Sequence, residues 1–399
     1  MNRSFWIVAL IVFINALSFT ILIPIIYLYG QKFGLNDFQT SLLFSIYSVA
    51  QFLATPIIGK LSDRMGRKPL LIVSLAGTVI ASFMAGAATT ATWLFIARLL
   101  DGITGGNNSV AQAVISDVTN PEQRAQGFGI YGAAFGSGFV LGPVVSLLAQ
   151  QISLGAAFFV SGVVALVALL VTLFFLPETL QQKADRAHNI FDLGLGSLIQ
   201  GLRIPKIGIL LIINFFIGTT FTIFTYAFQP YFIKVLNQDN QSLTLMFILF
   251  GVLGVIMQTK GVALLTRKFD LVSIMFIALF IRSLSFVLMP IWPSVFYFVA
   301  VSILFSIFNS LVQPIINTLI SLNAKPEEQG VSMGLNSSYL SISNAIGPVI
   351  AGMVLHQANL ATYRYPLYLA GILTFLVLVL AIATRKRYQP KTNAKLRTV

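Results

Sequence analysis

Charge is scarce in this chain. Of its 399 residues 9% are Asp, Glu, Lys or Arg, whereas 57% are hydrophobic. Soluble domains carry about 25% charged residues, and a folded chain has too much surface to hide such a deficit inside. With a mean hydropathy of +0.87, most of this surface faces lipid. Cysteine is absent, which excludes a disulfide framework and thiolate metal sites. His188 and His356 are the only histidines, too few for a histidine metal centre. The sequence shows no phosphate loop, metal-ligand cluster or nucleophile triad, so neither an ATPase nor a covalent enzyme is supported. No metal or cofactor is expected.

What fills the chain is apolar runs. A membrane helix needs about 20 residues of this kind. Runs fall near 5–29, 40–58, 70–89, 92–115, 126–150, 155–176, 207–233, 243–263, 271–289, 295–321, 331–355 and 365–383. They predict an all-α polytopic membrane protein with twelve transmembrane helices. The first run is too long for a signal peptide and lacks a small-residue cleavage site, so it reads as a retained helix. The longest connection, 177–206, begins polar (Gln181, Gln182, Lys183, Asp185, Arg186) and becomes amphipathic (Ile190, Phe191, Leu195, Leu198, Ile199, Leu202). It predicts a cytoplasmic linker carrying a surface-lying helix. The domains expected are a six-helix bundle over 1–176, the linker over 177–206, a second bundle over 207–383, and a basic tail over 384–399.

The net charge of +13 reads as topology rather than as a nucleic-acid surface. On this division into spans, 20 Lys and Arg residues fall on one side and three (Lys32, Lys234, Arg364) on the other. Arg98 and Arg282 lie inside helices. The positive-inside rule then puts both termini in the cytoplasm, consistent with an even number of spans.

The two halves repeat. Lys32, Asp37, Gln39 and Gly59 recur 202 residues later as Lys234, Asp239, Gln241 and Gly261. Pro121, Glu122, Gly129, Gly142, Pro143 and Val144 recur 205 residues later as Pro326, Glu327, Gly334, Gly347, Pro348 and Val349. Parallel six-helix repeats place a substrate site between the halves near midplane.

Three segments carry more specific signals. Residues 59–69 read Gly-Lys-Leu-Ser-Asp-Arg-Met-Gly-Arg-Lys-Pro. Gly59 is expected to let the chain leave helix two and Gly66 to allow a tight return. Asp63 is expected to accept from amides at a helix N-terminus. Arg64, Arg67 and Lys68 hold the turn at the cytoplasmic face, and Pro69 suits the first turn of helix three. Helix four carries Arg98-Leu-Leu-Asp101-Gly-Ile-Thr-Gly-Gly-Asn107. A charge inside a span costs at least a few kcal/mol and needs a partner or a polar cavity. Arg98 and Asp101 share a helix face at i, i+3. They form either an ion pair that only fixes packing or a proton-linked site. Helix five carries Gly132, Gly136, Gly138, Gly142 and Pro143, a small-residue spacing that allows close helix approach.

These residues resemble the major facilitator superfamily. The 59–69 loop is similar to its GxLxDRxGRK signature at every fixed position. The Arg98 stretch is similar to its helix-four motif. Gly138 to Pro143 resembles the GxxxGP motif of its drug:proton antiporter branch, with Ser146-Leu147 where Gly-Gly is usual. Together they look most like twelve-helix, tetracycline-type drug:proton antiporters. The resemblance implies the two-bundle facilitator fold and links Arg98 to proton coupling, with Asp101, whose position is less usual for that motif, the expected proton carrier beside it. It implies gating by Gly59, Asp63, Arg64, Gly66, Arg67, Gly138, Gly142 and Pro143. Such antiporters often carry an acidic residue early in helix one, where this chain has Asn15, so Asp101 is the one carboxylate expected well inside a span. Asn15, Asn107, Gln112, Asn214, Tyr226, Gln229, Asn309, Gln313 and Asn336 are the expected substrate contacts, many on the cavity-lining helices one, four, seven and ten of this fold. Each amide alone serves equally as an interhelical hydrogen bond. The function expected is proton-coupled efflux of small amphipathic compounds from the bacterial cytoplasm by a monomer in contact with lipid, powered by a proton gradient. A facilitator or importer of a polar metabolite is the alternative within transport, and a non-transporting receptor or assembly factor is the alternative outside it.

Overall fold

A computed structural model describes residues 3–119, 121–180, 195–324 and 329–389. The polar start of the linker (181–194), the Pro326-Glu327 pair of the repeat and the tail beyond 389 lie outside them. Among the described residues the chain is helical and strand-free. Helix one is α1 (Arg3–Leu22) followed by α2 (Ile26–Lys32), with α3 (Asp37–Met65) as helix two and α4 (Arg67–Gly86) as helix three. Helix four is α5 (Ala91–Thr104) plus α6 (Asn107–Val118). Helices five and six are α7 (Pro121–Gln150) and α8 (Ala156–Phe175), and the amphipathic linker helix is α9 (Leu195–Arg203). Helix seven is α10 (Ile207–Pro230), continued by a π-helical turn over Tyr231–Val235. Helix eight is α11 (Asn240–Ile256), a second π-helical turn, and α12 (Val262–Thr266). Helices nine to twelve are α13 (Leu271–Leu288), α14 (Val295–Asn323), α15 (Gln329–Val354) and α16 (Tyr365–Tyr388).

Ten of these stretches are long and apolar enough to cross a membrane. The broken α5–α6 pair and α15 supply the other two predicted spans. The outward faces of the ten are apolar: on α8 Phe174 is 71% exposed and on α14 Phe296 85%, a cost in water that vanishes in lipid.

Three boundaries differ from expectation for local reasons. The first run breaks at 23–25, where Pro24 has no amide to donate and two tight turns form instead (Ile23 N to Thr20 O, Ile25 N to Leu22 O). Helix four breaks at Gly105–Gly106, where helical propensity is lowest. There Gln51 of α3 donates to the freed Gly105 carbonyl at 3.0 Å. Helix two, by contrast, does not end at Gly59: α3 continues to Met65, and the turn is reduced to Gly66 at φ 119°. Gly59 is therefore a residue inside a helix, not a terminator.

The chain forms two compact units. One comprises residues 1–36, 42–194 and 240–248, the other 37–41, 195–239 and 249–399. In the first, α1 packs on α7 and α8, and α4 on α8 and α5; in the second, α10 packs on α15 and α16, and α13 on α16 and α14. One apolar core of the first unit is built on Phe5, Val8, Leu71, Val114 and Ile115. That of the second centres on Leu210, Ile213, Leu279, Ile316 and Leu319.

The sequence repeat is repeated in contacts. Thr20 donates to the carbonyl of Gly138 at 2.8 Å, and Thr222, 202 residues on, donates to that of Ser343 at 2.9 Å. Gln112 donates to the Tyr131 hydroxyl at 3.1 Å; 205 residues on, Asn336 and Asn317 hold the same positions and bond at 3.1 Å. A Cβ on Gly142 would strike Thr20, and one on Gly347 would strike Thr222. Gly138 likewise lies against Ala16 and Leu17. Gly138 and Gly142 of helix five are thus packing surfaces for α1, whereas Gly132 and Gly136 face open space.

Overpacking a close helix contact costs about 1–3 kcal/mol. Gly142→Ala is expected to lower the thermal unfolding temperature of the purified protein by several degrees. Gly132→Ala, where a Cβ meets nothing within 4 Å, is the control and should not. Equal tolerance of both changes would contradict this packing.

Candidate functional site

The first unit holds a buried ion pair. Arg98 Nη1 lies 3.1 Å from Asp101 Oδ2, one turn apart on α5. The residues are 5% and 8% exposed. The guanidinium stacks over the Tyr47 ring at 4.3 Å, a cation–π contact strengthened by desolvation. Tyr47 in turn stacks on Phe19 and accepts from Gln51 at 3.0 Å. Gly102 makes this possible, since a Cβ there would strike the Tyr47 carbonyl. The glycines of the Arg98 stretch therefore bring α3 against α5. Arg98 Nε has no hydrogen-bond partner among the described residues, so the cation's demand is only partly met.

Beside it, Asn15 and Asn107 exchange hydrogen bonds at 2.9 and 3.2 Å, and Asn15 reaches Asn108 at 3.4 Å. They lie in a narrow cleft with Ile11, Val12, Leu71, Leu75 and Ala111 that has no room for a water molecule. Gln112 faces Tyr131 instead. In the second unit Asn214 donates to Asn336, while Asn336 and Gln313 both donate to Asn317 at 3.1 and 3.2 Å. Asn214 and Asn336 are buried, and the Asn214 carbonyl oxygen has no described partner. Asn309 is half-buried on α14. Tyr226 and Gln229 do not join this group: the Tyr226 hydroxyl donates to the backbone carbonyl of Asp37, and Gln229 bonds the Thr225 carbonyl.

Asp101 is not alone as a buried carboxylate. Asp37, in the first turn of α3, is 1% exposed and pairs with Lys234 at 2.8 Å. In α13, Arg282 is buried without a carboxylate in its described contacts. It donates to the Ile217 carbonyl at 2.7 Å and the Thr220 hydroxyl at 2.8 Å, near the rings of Phe221 and Phe286.

At the α3–α4 turn the hub is Arg67. Its guanidinium donates to Ser62 at 2.7 Å, to Asp63, and through Nε to Asp117 at 3.0 Å. Asp63 does not cap α4 as expected. Glu178 does, accepting from the amides of Arg67 at 2.9 Å and Lys68 at 3.2 Å. Gly66 permits this approach, since a Cβ there would strike the Glu178 carboxylate. Partial burial pushes the Glu178 carboxyl up. The amides of Leu180, Arg67, Lys68 and Thr179 outweigh that and hold it below the ordinary carboxylate value. Sequence reasoning missed Asp117 and Glu178. Their signal was available: both are acids at helix ends on the side that carries the basic loop.

A family model described as Major Facilitator Superfamily matches residues 8–258 and 210–398. The chain is 26% identical to the class H tetracycline resistance protein of Pasteurella multocida, across 99% of this chain and 98% of that one. It is 22% identical to the quinolone resistance protein NorA of Staphylococcus aureus, across 88% and 90%. Among solved structures, the human organic anion transporter MFSD10 superimposes with a TM-score of 0.72 at 22% identity, covering 96% of this chain and all of that one. The signature turn, the repeated contacts and these matches over nearly the whole length agree: the chain belongs to the major facilitator superfamily and is a multi-pass membrane transporter, not an enzyme.

Proposed function

We propose that this protein exports small amphipathic compounds, antibiotics among them, in exchange for protons by alternating access. The observation that carries the reading is the Arg98–Asp101 pair. A carboxylate buried within a span is expensive to keep charged, and a neighbouring guanidinium decides when it holds its proton. Asp101 is the proton carrier in this account and Arg98 the group that tunes it. The tetracycline and quinolone resistance proteins among the relatives support drug-like substrates. Asn15, Asn107, Gln112, Asn214, Gln313 and Asn336 are the proposed substrate contacts, each of which would exchange its present hydrogen bond to a neighbouring side chain for one to substrate. Gln229 and Tyr226 stand apart from these groups, and Asn309 lies one turn before Gln313 on α14. The charge bias supports cytoplasmic termini in a bacterial inner membrane, with a monomer as the working unit. A facilitator of a polar metabolite is the second reading, favoured by the same amide groups.

Asp101→Asn is expected to abolish uphill efflux in everted vesicles while downhill exchange of substrate survives. Unchanged transport driven by a pH gradient in that variant would overturn the assignment.

The Arg67 hub, with Asp63 and Gly66, acts as a latch on the α3–α4 turn. Arg67→Gln removes the ion pairs to half-exposed Asp63 and to Asp117, which keeps its bond from Thr179, a loss of about 1 kcal/mol per pair that slows a conformational step severalfold. Turnover should fall by that factor with substrate affinity nearly unchanged. A loss confined to affinity would show that the turn does not gate.

Glu178 gives the latch a pH dependence. Its folded-state pKa lies below the ordinary value, so its contribution is full above that value and is lost as pH falls through the lowered one. Glu178→Gln should lower the unfolding temperature at neutral pH, and the gap to the native protein should close on acidification. A gap that does not change with pH would show that the carboxylate charge is not what holds α4.

A further inference from the structure

We propose that Arg282, in the middle of α13, is the cationic centre of a monovalent-anion site in the second unit, one that takes chloride or the carboxylate of a small organic molecule. Such a site goes beyond the exporter reading and does not rest on it.

A guanidinium stays charged at neutral pH. Inside a span that charge is answered by a counter-charge or carried at a cost of at least a few kcal/mol. The first unit answers Arg98 with Asp101. The second has no equivalent. Its sequence places no Asp or Glu in any helix from α10 to α16, and Asp239, Asp270, Glu327 and Glu328 all fall between helices. Asp270 caps α13 twelve residues before Arg282, about 18 Å along the axis, and is held there by Ser273. Asp37, the remaining carboxylate of this unit, is taken by Lys234. Nor does the scaffold call for the charge. The repeat offset of 202 to 205 sets Arg282 opposite Gly77, Thr78, Val79 and Ile80 of α4, none of them charged.

The site is built from α10 and α13. Arg282 is 1% exposed. Its two hydrogen bonds, to the Ile217 carbonyl and the Thr220 hydroxyl, both leave from Nη2. Nε has no partner among the described residues. A guanidinium has five N–H donors, so these neutral acceptors meet only part of its demand and none of its charge. Phe286 and Phe221 flank it with ring centres at 5.4 and 6.0 Å. The rings add cation–π attraction and keep the surroundings apolar, which strengthens any ion pair made there. Ile217, Thr220 and Phe286 are buried, whereas Phe221 is 39% exposed. The way in for an anion therefore passes the Phe221 ring. A staple between α10 and α13 would need only a neutral donor. A permanent charge with unused donors calls instead for a small anion of charge one, a halide or a carboxylate, which a guanidinium binds through charge-assisted hydrogen bonds.

Thermal unfolding of the purified protein in nanodiscs, without substrate or gradient, tests this. Sodium chloride or sodium acetate replaces sodium isethionate, a salt of a larger anion, at constant ionic strength. Binding to the folded state stabilises by mass action, so the unfolding temperature of the native protein should rise by several degrees and saturate. Arg282→Gln should remove the response. Arg282→Lys, which keeps the charge but loses the guanidinium fork, should keep it with a half-saturating concentration raised severalfold. Arg267→Gln, at an exposed cation, should respond as the native protein does. The anion that saturates at the lower concentration identifies the source, inorganic halide or organic carboxylate. No saturable response in the native protein, or a native response in Arg282→Gln, would overturn the site. If Arg282→Gln does not fold, an unchanged half-saturating concentration in Arg282→Lys would overturn it. The readout needs no transport, so failure of the exporter reading would leave the site standing, and failure of the site would leave the Asp101 assignment standing.

Discussion

Arg98 and Asp101 face each other on one helix, out of water, and much of the first unit is arranged around that pair. Either charge alone inside a span is costly. Their pairing requires α5 to present both on one side. It also requires Tyr47 to cover the guanidinium, which brings α3 close enough that only Gly102 can stand between them. Gln51 then ties Tyr47 to the carbonyl freed where helix four breaks. The glycine-rich stretch is the steric condition for burying a charge, and the burial is what makes that charge useful. Arg98 Nε has no partner among the described residues, so the pair is not fully satisfied.

The two units solve the same packing problem with different polar chemistry. Thr20 and Thr222 cross to equivalent carbonyls, and Gly142 and Gly347 receive them. At the level of charge the correspondence stops. The first unit buries an ion pair within a span. The second buries Arg282 against a carbonyl, a hydroxyl and two rings.

The all-helical architecture, the spans and the repeat were legible because they depend on composition and period, which lipid makes unambiguous. Residues three apart on a helix must meet if it stays regular, so the Arg98–Asp101 pair was legible too. What escaped needs tertiary context. Gly59 reads as a terminator, yet α3 runs on because the following turn still has a packed side: Ser62 is buried and bonds Arg67. Asp63 reads as a cap because it is near a helix start in sequence, but Glu178, more than a hundred residues away, is nearer in space. Tyr226 belongs with Asp37 and not with the amides because of a contact spanning 189 positions. Local pattern carries no information about such distances.

The central claim is that substrate and proton compete through one buried carboxylate, and direct proton counting tests it. Purified protein in a weakly buffered solution receives a tetracycline-class compound, and released protons are read with a pH indicator. The account predicts release on binding by the native protein and none from Asp101→Asn that still binds the compound. Binding without release in the native protein, or equal release from the variant, would contradict it.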